Sequence, residues 1–106
     1  MTVFFNFAVL GNANSPSEIQ LTYDKEKGSL HVVVKHVSTH MRKHYIRKVE
    51  ISKNDGPPVP YYFTSQTSPS ELIMDVPLKA VPKDKIHVEA VCREAGRAEK
   101  TLTVSE

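Results

Sequence analysis

The stretch Leu30-His31-Val32-Val33-Val34-Lys35-His36 decides the fold. Side chains alternate across a strand, so Leu30, Val32, Val34 and His36 share one face, and His31, Val33 and Lys35 share the other. The stretch Lys85 to Cys92 repeats the pattern. There Ile86, Val88, Ala90 and Cys92 fall on one face, with His87, Glu89 and Val91 on the other. A period of two over such runs is the mark of a half-buried strand.

Similar signals extend in both directions. Val3 to Leu10 is rich in Phe and Val and predicts an N-terminal strand. Ile19 to Tyr23, His44 to Ser52, Val59 to Thr64, Leu72 to Leu78 and Ala98 to Val104 read as further strands. Within His44 to Ser52, the residues Tyr45, Val49 and Ile51 have one parity. Gly, Pro, Asn and Asp punctuate the intervals at Gly11 to Pro16, Asp24 to Gly28, Asn54 to Pro58 and Val81 to Asp84. Gln66 to Ser70 and Glu94 to Arg97 read as loops. Seven or eight short strands at this spacing, with no helical period, predict an all-β, immunoglobulin-like sandwich of two sheets. The 106 residues fit one domain over 1–106.

Charge and composition narrow the function. The net charge is +2, and Arg42, Lys43, Arg47 and Lys48 form the densest basic stretch. With no Trp and no aromatics interleaved among these cations, the stretch reads as a solvated edge, and no nucleic-acid partner is expected. The single cysteine, Cys92, excludes an intramolecular disulfide and fits a reducing compartment. The apolar start lacks a basic leader and is too short to span a bilayer. A cytoplasmic protein with no membrane partner is the expectation. Phosphate-loop, zinc-protease and nucleophile-elbow signatures do not occur.

Three of the five histidines, His36, His40 and His44, fall within nine positions. Parity puts His36 and Cys92 at the ends of apolar strand faces, where a side chain sits at the rim of the core. Imidazole and thiolate are good ligands for iron, zinc and copper. His36, His40, His44 and Cys92 are therefore the candidate metal ligands. His31 and His87 have the wrong parity to join them.

The run His36-Val-Ser-Thr-His-Met-Arg-Lys-His44-Tyr45-Ile46, with Lys48-Val49-Glu50-Ile51 after it, resembles the ferrous-iron domain of desulfoferrodoxin and superoxide reductase. The resemblance continues through Asp84 to Cys92, where the family has a strand ending in its cysteine ligand, and covers roughly Gly28 to Gly96. It implies an immunoglobulin-like sandwich. It also implies a non-haem iron with four equatorial histidines and an axial thiolate, which reduces superoxide to peroxide with a small redox partner. Carried over by residue, His36 and His44 match two of the histidines and Cys92 matches the axial thiolate. His40, in a longer loop, would replace a third ligand, and Glu94 could supply an oxygen.

The chain departs from the family at two places. Ala95 stands where the Cys-x-x-His-Gly motif has its histidine, and the early Glu-Lys-His motif has no counterpart. Two histidines, one cysteine and one more ligand suit zinc as well as iron. The alternative reading is a non-catalytic sandwich binding module, metal-free or zinc-binding. It is similar to the small sandwich subunits of the sulfur-oxidation carrier complex, which also place a His-led loop before a strand. Open sheet edges would permit a homo-oligomer.

Overall fold

Seven strands are laid down in order: β1 (Glu18–Asp24), β2 (Ser29–Lys35), β3 (Ile46–Lys53), β4 (Val59–Tyr62), β5 (Glu71–Pro77), β6 (Lys85–Cys92) and β7 (Arg97–Thr103). The structure is a computed structural model and describes residues 16–38, 40, 43–94 and 96–106. The expected strand Val3 to Leu10 and the substituted position Ala95 lie outside the described residues. Among the described residues no helix is long and apolar enough to cross a membrane.

The strands form two antiparallel sheets, β1-β2-β5 and β4-β3-β6-β7. This is the order of an immunoglobulin-like sandwich, with one sheet as A-B-E and the other as C′-C-F-G. The all-β, two-sheet expectation is met. Strand parity explains the core. Leu30, Val32 and Val34 from one sheet meet Val49, Ile51, Ile86, Val88, Ala90 and Cys92 from the other, all buried.

One strand breaks the expected parity. A register shift between Ile46 and Lys48 puts a bulge at the start of β3. The extra residue flips the phase, so Ile46, and not Tyr45, joins Val49 and Ile51 in the core. Tyr45 is left half-buried.

The register also fixes the two ends of the sandwich. Lys35 pairs with Glu71 and Ile46 pairs with Cys92, so the 36–45, 63–70 and 93–96 loops share one end. Ser29 pairs with Pro77 and Lys53 with Ile86, so the 25–28 turn, the 54–58 turn and the 78–84 connection share the opposite end. Pro60, which has no N–H to offer a neighbour, sits on β4 at the edge of the larger sheet.

The second end is held by short polar devices. Asn54 and Asp55 both have positive φ, 51° and 60°, as the turn after β3 needs at its two central residues. The Gly56 N–H closes that turn on Lys53 O at 2.9 Å. Asn54 then accepts the Lys85 N–H at 2.8 Å and donates to Asp84 Oδ1 at 3.0 Å. The other Asp84 oxygen accepts the Val81 N–H at 2.9 Å. Tyr23 anchors the same connection. Its hydroxyl donates to Leu78 O at 2.7 Å and accepts the Ala80 N–H at 3.0 Å.

The Asn54 side-chain hydrogen bond, with the Val81 N–H and Lys53 behind it, holds the Asp84 carboxyl below its ordinary value. A depressed folded-state pKa adds stability above the unfolded value, and that stability is lost as pH falls through the folded value. Asp84→Asn should therefore be less stable than the parent at pH 7, and the gap should close below about pH 4. Urea midpoints measured across pH check this. A gap that does not change with pH would show that the carboxylate charge plays no part.

Candidate metal centre at the histidine end

The four candidate ligands all lie at the first end of the sandwich, but they are held in different ways. His36 follows the last residue of β2 and is only 1% exposed; Cys92 closes β6 and is 3% exposed. Both are deeper than the reachable rim that strand ends lead one to expect. His40 is exposed and His44 half-buried. His31 and His87 lie on the outer faces as parity predicts. His31 Nδ1 pairs with Asp75 at 2.8 Å, while His87 bridges Thr101 Oγ1 and Glu99 Oε1, each at 2.9 Å.

The organising side chain at this end is Gln66. Its Oε1 accepts the Ile46 N–H at 3.1 Å and also bonds His36 Nδ1. Its Nε2 donates to His36 O at 3.0 Å and to Ser68 O at 3.1 Å. A backbone N–H can only donate and a carbonyl can only accept. These partners therefore fix the orientation of the carboxamide, and with it the proton on His36 Nδ1. Gln66 thus ties the end of β2 to the start of β3 across the two sheets. Sequence reading placed Gln66 only at the head of a loop. The one available clue was indirect: a histidine on a core face requires a hydrogen-bond partner.

Between the two strands, backbone bonds turn Lys43 and His44 back onto His40. His40 O accepts the Lys43 N–H at 2.9 Å and the His44 N–H at 2.7 Å. That turn brings the His40 and His44 rings together, with centroids 6.4 Å apart and planes tilted by 59°. Ser38 Oγ donates to His44 O, and among the described residues the buried His44 Nδ1 has no hydrogen-bond partner. Cys92 pairs in register with Ile46, and its N–H donates to Gly96 O at 3.1 Å. Arg93 spans the mouth of this end. Its guanidinium donates to Lys43 O at 3.0 Å, pairs with Glu94 at 3.2 Å and lies 5.9 Å from the Tyr45 ring centroid. The Glu94 carboxylate is thus turned toward a cation on the surface.

Among the described residues, no group of three or more His, Cys, Asp or Glu side chains is arranged to hold a metal ion. Comparison with known proteins adds no support for a family: no family model matches the chain, and no curated protein matches it.

The Gln66 bridge makes a direct prediction. Gln66→Ala removes the partner of the Ile46 N–H and the carboxamide bonds to the His36 ring and to His36 O at a buried site. Each unsatisfied buried group costs about 1–3 kcal/mol, so a loss of about 3 kcal/mol is expected. It should appear as a lower urea midpoint at unchanged slope. A loss below about 1 kcal/mol would mean that water or another group readily replaces the carboxamide.

Proposed function

We propose that this chain is a non-catalytic, metal-free β-sandwich binding module. The side-chain geometry at the histidine end carries this reading: among the described residues no three ligating groups converge. A superoxide-reductase-like centre would draw His36, His44 and Cys92, with His40, onto one ion at bonds of about 2.0–2.3 Å. Here His36 donates its Nδ1 proton to a carboxamide whose other bonds brace the backbone, a bond that orients the ring and is open to metal-bound and metal-free histidines alike. The most buried histidine therefore serves as a cross-strut between the sheets. The fold supports the same reading, because a sandwich offers the loops at its two ends as recognition surfaces on a rigid frame.

Elemental analysis tests the proposal. Protein purified from cultures supplemented with iron and zinc should carry far less than one metal ion per chain. Its melting temperature should not change with a chelator, and it should leave superoxide decay at the buffer rate. One iron per chain, with a visible thiolate-to-iron band that disappears in Cys92→Ser, would overturn the proposal in favour of the iron reductase.

A further inference from the structure

The end opposite the histidines carries a second concave surface, a cleft of about 660 Å³ between the 24–28 turn and the 77–84 connection. That is within the usual size range of small-molecule sites. Its lining is chemically divided. Leu78, Ala80 and Val81 supply apolar surface, and Val81 is 62% exposed, a high value for a large aliphatic side chain. Lys25, Lys27, Lys53 and Lys79 supply the cations.

The carboxylates nearby do not neutralise these lysines evenly. Asp24 is turned into its own hairpin, where Oδ1 accepts the Glu26 and Lys27 N–H groups at 3.0 and 3.1 Å. Asp84 is spent on Asn54 and the Val81 N–H, with Lys53 3.9 Å away. Lys53 also donates to Lys79 O at 2.7 Å, and Lys25 donates to Glu106 O at 2.8 Å. Among the described residues, the ammonium groups of Lys27 and Lys79 have no carboxylate within ion-pairing distance. Asp24 and Asp84 hold the turns in shape, Glu26 also lines the cleft, and the four lining lysines outnumber the two lining carboxylates, Glu26 and Asp84, around an apolar floor.

We propose that this cleft binds a small organic anion, with its charged head between Lys27 and Lys79 and its apolar body on Leu78, Ala80 and Val81. Lysine serves such a head as a mobile point charge. A concave surface with low-dielectric walls strengthens the attraction over that of lysines on an open face. The inference concerns the end away from the histidines. A metal found beside His36 would overturn the function proposed above and leave this proposal standing.

Phenyl phosphate is a suitable probe, because it joins a doubly charged head to an apolar ring. Amide NMR titrations should show saturable shifts confined to residues 25–28 and 78–81. Inorganic phosphate should bind more weakly, since it has no apolar body, and benzyl alcohol should give no shifts, since it has no charge. The exposed double variant Lys27→Gln/Lys79→Gln should bind phenyl phosphate about tenfold more weakly, the effect of losing one charge-assisted contact or more. Lys100→Gln, on β7, should bind as the parent does. Shifts that fail to saturate, that spread to lysines elsewhere, or that persist unchanged in the double variant would overturn the proposal. Inorganic phosphate binding as tightly as phenyl phosphate would remove the apolar half of it.

Discussion

The carboxamide of Gln66 is the contact on which the histidine end depends. A sandwich is easy to assemble along its strands, where ladder bonds repeat, and hard to finish at its ends, where chain leaves the sheet and buried polar groups lose their partners. At this end the chain leaves β2 with an imidazole pointing inward and re-enters at β3 with the Ile46 N–H on the side where β4 pairs only from Lys48 onward. One side chain from a distant loop answers both needs and a carbonyl as well. The glutamine takes over where the ladder with β4 stops, and without Gln66 the start of β3 would bury an unpaired donor.

Period-two patterning made much of this fold legible. In β2 and β6 every residue assigned to the inner face is buried, because those strands run straight through the core with a ladder partner on each side. The method failed at Tyr45 and Ile46 because a bulge changes the phase without changing composition. It failed again at Gln66, since nothing in Thr64-Ser65-Gln66-Thr67-Ser68 marks one polar residue for burial. The candidate ligands lie together at one end of the sandwich. Their ring directions depend on a loop turn and a loop glutamine, and neither has a periodic signature.

The His44-Tyr45-Ile46 run stands where the chain turns from a loop into a bulged strand, and the run ending at Cys92 is the strand paired with it. Both motifs therefore occupy positions that a sandwich of this kind needs for its own closure. Sequence similarity confined to them is compatible with a shared frame and does not require a shared metal. Outside both motifs, in the 63–70 loop, a carboxamide bonds His36 and gives the imidazole structural work.

Charge is distributed by the same logic of frame and ends. On the sheet faces it is largely cancelled across strands. Lys35 meets Glu71 at 2.7 Å, His31 meets Asp75, and Arg97 meets Glu89 at 2.8 Å. The facing acids Glu89 and Glu99 would repel, yet each is met by a basic neighbour, Arg97 for one and His87 for the other. At the lysine-rich end two of the acids, Asp24 and Asp84, turn to backbone N–H groups, while Glu26 stays in the lining of the cleft. Using those two carboxylates as turn caps fixes the loops and leaves the ammonium groups of Lys27 and Lys79 without a carboxylate at ion-pairing distance among the described residues, so four lysines line this cleft against two carboxylates.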